Sequence, residues 1–201
     1  MLRKKSKYKL GMKIVNYTMI VIVIVALSLL SCKKEANILT ANAITFGEIE
    51  KMMKHEFGEN AYYTDVSIRY SKAMGSVVTA TVTNVPHSLK MEKWNATEDV
   101  WKKISDIFIE VPYGTLAADF MFRLNDTINL FTLGDLAEKS SIKLKNENNI
   151  QNPALHLASI IFPKNGDITK TEYCIILKPE NSNKTFSFFY TIEGKLIKTV
   201  S

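Results

Sequence analysis

The six residues Ile44-Thr-Phe-Gly-Glu-Ile49 return, type for type, as Phe131-Thr-Leu-Gly-Asp-Leu136, with Thr and Gly identical in both copies. This constrains the fold more than composition does, because a chain that opens the same element twice is set to build the same supersecondary unit twice. In the first copy, Thr45 followed three residues later by Glu48 fits a helix capping box. Phe46, Ile49, Met52, Met53 and Phe57 then recur at helical spacing, and Gly58 supplies a stop. Ala61 to Lys72 and Gly75 to Val85 are rich in Tyr, Val, Thr and Ile and read as strands, the second ended by Pro86.

Ser88 to Pro112 fits either a helix or a hairpin. Asn95 to Asp99 suits a helix start ahead of Val100, Trp101, Ile104, Ile107 and Phe108, whereas Ile107, Ile109 and Val111 alternate like a strand. The order of elements after the second copy decides for two strands, Leu89 to Trp94 and Val100 to Val111. There a helical stretch leads into four strand-like runs, Leu155 to Phe162, Asp167 to Lys178, Thr185 to Ile192 and Lys195 to Val200. Turn-forming segments at Pro163, Pro179 and Glu193-Gly194 separate them. Laid on one another, the halves place Gly75 beside Gly166 and the Asn95 to Asp99 turn beside Glu193-Gly194. Both then read α-β-β-β-β.

The expected class is therefore α+β, in two tandem helix-plus-antiparallel-sheet units at residues 44–112 and 113–201. The second includes a linking hairpin formed by Asp119 to Leu124 and Thr127 to Leu130 around Asn125-Asp126. In each unit the helix must cover the apolar face of a sheet too small to be stable bare. Period two puts Phe186, Phe188, Tyr190 and Ile192 in the core, with Phe189 pointing away. In element order this part of the chain resembles the tandem modules of the beta-lactamase-inhibitor and PepSY-like groups. No motif is shared, so the resemblance implies an architecture and no activity.

The amino terminus carries a separate message. Arg3, Lys4, Lys5, Lys7, Lys9 and Lys13 stand without a single acid, and Ile14 to Leu30 is uncharged. The strongly apolar part, Met19 to Leu30, is short against the roughly 20 residues of a membrane-spanning helix. A basic region followed by a short apolar run is the pattern of an export signal. Leu29-Leu30-Ser31-Cys32 resembles the lipobox of bacterial lipoproteins. That resemblance implies a signal peptide over residues 1–31, cleavage between Ser31 and Cys32, a diacylglyceryl thioether on Cys32, and a tether over residues 32–43. It also implies attachment to the cell envelope through that lipid, the outer membrane ranking ahead of the inner. The competing reading is an uncleaved amino-terminal anchor helix.

Set against that signal, the charge of +6 loses its meaning. Of 26 basic residues six precede Cys32, and none of the 20 acidic ones does, so the remainder is balanced. Nucleic-acid binding needs an excess of Lys and Arg, and none is expected here. Cys32 and Cys174 are the two cysteines; with Cys32 lipidated, Cys174 has no partner in the chain and reads as a thiol in an apolar strand.

Chemistry-bearing motifs are scarce. His55, His87 and His156 lack metal-ligand spacing, no Gly-x-Ser-x-Gly, Cys-x-x-Cys or phosphate-binding glycine loop occurs, and Asp99, Asp106 and Glu110 read as partners of Lys102 and Lys103. No catalytic residue, metal or cofactor is assigned. Trp94 and Trp101 flank the Asn95 to Asp99 turn and are the candidate contact anchors, with burial in the core as the competing reading. Asp126-Thr127-Ile128 looks like the Asp-Thr-aliphatic triplet at which some Gram-negative bacteria attach O-linked glycans to exported proteins. The functional expectation is a non-enzymatic module binding a protein, peptide or glycan. An envelope enzyme without a recognisable motif, or an inhibitor or immunity protein, stands as the alternative.

Overall fold

A computed structural model describes residues 41–71, 74–148, 150, 152–179 and 183–201. The signal sequence, Ser31, Cys32 and most of the tether lie outside the described residues. The first helix, α1, runs Ala43–Phe57, two residues ahead of the Thr45 start that the sequence suggested. The cap is Asn42 and not Thr45: its side-chain oxygen accepts from the Thr45 N–H at 2.9 Å, satisfying one of the orphan donors of the first turn. Gly58 closes α1, its N–H donating to the Lys54 carbonyl at 2.9 Å with a φ of 95°.

The second helix, α2 (Leu130–Asn148), starts in the same way, with Asn129 accepting from the Thr132 N–H at 2.7 Å. The repeated unit therefore reaches back to Asn-x-x-Thr in both copies, a polar cap beyond the six residues that match by type.

Four strands come after each helix: β1 (Tyr62–Ser71), β2 (Gly75–Thr83), β3 (Lys90–Thr97) and β4 (Val100–Phe108), then β5 (Pro153–Ile161), β6 (Glu172–Pro179), β7 (Phe186–Thr191) and β8 (Leu196–Val200). Asn95 to Phe108 is a hairpin, turned at Glu98 and Asp99, whose φ values are both positive. The eight strands join in one antiparallel sheet of order β4-β3-β2-β1-β5-β6-β7-β8. The seam between the halves is β1 against β5, from Val66 opposite Ile160 to Arg69 opposite Leu157.

Two expected elements are absent. Tyr113 to Asn129 forms no hairpin; it holds a 3-10 turn at Ala117–Phe120 and a single bridge, Phe122 to Tyr63. Asp167 to Thr171 is not the start of β6 but a 3-10 turn, because the Asp167 carboxylate accepts from the Thr169 N–H and draws the backbone into a cap instead of a ladder.

Both helices pack on one face of the sheet. Phe46, Ile49, Met53 and Phe57 from α1 and Leu133, Leu136, Ala137 and Leu144 from α2 are buried. They meet Val66, Ile68, Val78 and Ala80 from the first half and Ile160, Tyr173, Ile175 and Phe188 from the second in one core. Phe188 and Tyr190 are buried, Phe186 and Ile192 pack against the same core, and Phe189 lies opposite, as period two requires. A buried polar tie fixes α2 to the sheet: the Ser140 hydroxyl lies 2.8 Å from both the Leu136 carbonyl and the Tyr190 hydroxyl.

The helices touch each other at the repeated glycines. A Cβ on Gly134 would stand 2.3 Å from the Asn42 carbonyl oxygen and 2.8 Å from the Phe46 Cβ, so only glycine lets α2 approach the start of α1 this closely. Gly47 at the matching position faces the Phe131 ring with room to spare, at 3.6 Å.

Candidate functional site

With the helices on one face, alternation decides what the other face presents. Lys102 pairs with Asn95, Asn95 with Thr79, and Thr79 with Ser67. Ser67 pairs with Ser159, Ser159 with Cys174, Cys174 with Phe189, and Phe189 with Lys198. One row of directly opposed residues thus crosses all eight strands on the face away from the helices. Its middle is small and polar, and each end is a lysine. Thr79 donates to the Asn95 side chain at 2.9 Å, and the Lys198 ammonium sits 4.5 Å from the Phe189 ring centroid.

Extending the same parity up and down the strands adds Arg69, Lys93, Asp65, Glu172 and Lys178 to this face. Five cations, Arg69, Lys93, Lys102, Lys178 and Lys198, then stand against two carboxylates. Burial pushes the Asp65 carboxyl above its ordinary range, with the Lys93 charge pulling the other way. One end of the face is closed. Met91, Ala117 and Met121 form a small second core there, with Tyr62, Leu89 and Ile107 packed against it under the 3-10 turn.

A second feature lies at the helix crossing. Glu50, four residues after Phe46 and three before Met53, falls on the buried face of α1 and is only 9% exposed. One of its carboxylate oxygens accepts from the Leu130 N–H at 2.7 Å and the other from the Lys54 ammonium at 2.7 Å. An anion at the first turn of α2 satisfies an orphan N–H and opposes the positive end of the helix dipole. Beside it the Asn129 N–H donates to the Tyr173 hydroxyl at 3.0 Å. These groups border a cleft of about 460 Å³ lined by Gly47, Glu50, Lys51, Lys54, Asn125, Asp126, Asn129, Phe131 and Thr132. Both Glu50 oxygens are already engaged, so the buried carboxylate acts here as a cap and an ion-pair partner.

Of the residues singled out from the sequence, Trp94 and Trp101 lie on the helix side, half-buried, their rings edge-to-face with Phe57 at 5.7 and 4.7 Å. The Trp94 indole N–H donates to Glu92. Their packing against the end of α1 matches the core reading, and only their remaining edges face outward.

Glu92 and Asp106 form an exposed ion-pair group with Lys90 and Lys103 on the same side. The hydrogen bond from Lys103 is the main cause holding both carboxyls below their ordinary values. His55, His87 and His156 are exposed on α1, on the 3-10 turn Pro86–Ser88 and on β5. Cys174 is a free, buried thiol whose pKa burial raises, opposed by a hydrogen bond with Ser159.

Among the described residues no group of three or more His, Cys, Asp or Glu stands close enough to hold a metal ion, and no helix is long and apolar enough to cross a membrane. Sequence reasoning missed Glu50 and the sheet row. The available signal for Glu50 was an acid set among Phe46, Met53 and Phe57 on the apolar face of α1, whereas the row exists only once strand order and register are known. Neither a protein-family model nor a curated protein nor a solved structure matches the chain.

Proposed function

We propose that the protein is an envelope lipoprotein, anchored through Cys32 in the outer membrane, whose bare sheet face docks on an acidic surface of a partner protein. The observation that carries this is the sheet face itself. The middle of its central row is small and uncharged, so another backbone can approach closely, and five cations against two carboxylates stand on this face in a chain whose charges balance as a whole after Cys32. Complementary charge of this kind sets on-rate and orientation. The reading is non-enzymatic: binding requires shape and charge, and no reacting group is assigned. Blocking a partner's own site is one way such a face would act as an inhibitor.

The test is capture from envelope extracts with the wild-type chain, with Arg69→Glu/Lys102→Glu/Lys198→Glu, and with a control reversal on the helix side, Lys51→Glu/Lys145→Glu. All five side chains are exposed, so folding should survive. Swapping attraction for repulsion at about 1 kcal/mol per charge amounts to roughly a hundredfold loss of affinity for the triple variant. Equal retention of the same partner by the triple variant and the wild type would refute the sheet-face reading.

A further inference from the structure

Asp126-Thr127-Ile128 is the one place in the chain where Asp precedes Ser or Thr and then an aliphatic residue. The structure gives this triplet a specific presentation. The Asn125 N–H donates to the Ile128 carbonyl at 2.9 Å, closing a tight turn. The Asn125 side-chain oxygen accepts from the N–H groups of Thr127 at 2.9 Å and Ile128 at 3.1 Å. Asn129 donates its side-chain amide to the Asp126 carbonyl at 3.2 Å. Leu124 and Ile128 are 4% and 1% exposed and pin both ends of the turn in the core, while Asp126 and Thr127 are exposed at its tip. The Thr127 N–H is thus already engaged, and its hydroxyl has no hydrogen-bond partner among the described residues.

We propose that Thr127 is an acceptor for an O-linked glycan added after export. This rests on the export reading of the amino terminus. In the transfer, the Thr127 hydroxyl oxygen attacks the anomeric carbon of a glycosyl phosphate donor carried on a lipid. The new C–O bond forms as the bond from that carbon to the phosphate oxygen breaks; the phosphate leaves with the bonding pair, and the hydroxyl proton passes to a base on the transferase. No oxidant or reductant is needed.

The turn explains the order of the residues. The aliphatic side chain faces inward and fixes the loop, which leaves Asp126 and Thr127 exposed at its tip for an enzyme to reach. Asn125 and Asp126, the two residues before Thr127, line the polar cleft at the helix crossing together with Lys51, Lys54 and Asn129. The glycan would then stand on the helix side and leave the bare sheet face open.

The experiment expresses the full chain in a Gram-negative host that glycosylates Asp-Thr-aliphatic triplets, with labelled palmitate supplied. Peptide mass spectrometry reads Thr127, and the lipid label reads export and acylation of Cys32 in the same preparation. The expected result is a lipid-labelled wild type with a sugar mass on the Thr127 peptide. That mass is lost in Thr127→Ala and Asp126→Ala and kept in Thr127→Ser, with the lipid label unchanged in all three. A lipid-labelled chain with a bare Thr127, in cells that modify an exported control bearing the same triplet, overturns this proposal alone. A chain with neither label nor sugar overturns the export reading and this proposal with it.

Discussion

Gly47 and Gly134 occupy the same position in the two copies of the repeated helix start, yet alanine should act on them with opposite sign. In a helix interior alanine gains about 1 kcal/mol over glycine from backbone entropy alone. At Gly47 the added methyl meets the Phe131 ring at 3.6 Å, an ordinary contact, so Gly47→Ala should stabilise by about 0.5–1 kcal/mol. At Gly134 the methyl would lie 2.3 Å from the Asn42 carbonyl oxygen and 2.7 Å from its carbon. Both are backbone atoms of the α1 cap and have no rotamer to move into, so the helices must separate. Overpacking of this kind costs about 3 kcal/mol, and the alanine gain returns about 1, leaving Gly134→Ala destabilised by about 2 kcal/mol. The two variants should differ by about 3 kcal/mol. Urea and thermal unfolding of the chain after Cys32 give both values. At about 2–4 °C per kcal/mol for a domain of this size, Gly134→Ala should lower Tm by about 4–8 °C. A Gly134→Ala protein as stable as the wild type would show that the helix crossing is not where these glycines are needed.

The buried cap on α2 is open to a similar test. Glu50→Ala strands the Leu130 N–H without its acceptor and should cost about 2–3 kcal/mol, whereas Glu50→Gln keeps one acceptor for that N–H, loses the charge and the ion pair with Lys54, and should cost about 1; equal losses in urea unfolding would mean the carboxylate is not acting as a cap. Asp65 gives a pH signature. Its folded pKa is raised by burial above the ordinary 3.8, so its penalty on the folded state is absent below that value and grows as pH climbs through the folded pKa. Asp65→Asn should therefore stabilise at neutral pH and be neutral in acid, and a gain that does not change with pH would contradict the burial argument.

Much of the architecture was legible because periodicity reports burial directly. Phe46, Ile49, Met53 and Phe57 mark a helix face, and Phe186, Phe188 and Tyr190 mark a strand face, whatever they pack against. The caps were misread because Thr45 and Asn42 are both good capping residues, and only the backbone shows that Asn42 is the one with extended geometry. The linking segment misled because Phe122 and Leu124 alternate with polar neighbours as a strand would. They are buried instead by wrapping the end of β1, where Phe122 makes a single bridge to Tyr63. The sheet face could not be read at all: its members are spread from Ser67 to Lys198 and meet only through register. Glu50 is half legible: its place among Phe46, Met53 and Phe57 marks a buried acid, but the N–H it caps lies 80 residues further along.

The β1–β5 seam has a consequence for how the molecule comes into being. Every other strand pair joins neighbours in sequence, so each half can zip from local turns. The seam must instead close a stretch of about 90 residues, the slow and entropically costly kind of contact. During synthesis the first half is complete with the outer edge of β1 unpaired, and it stays so until β5 has been made. For that interval the nascent chain carries an open strand edge at what will become the centre of the sheet, a ready template for pairing with the wrong chain.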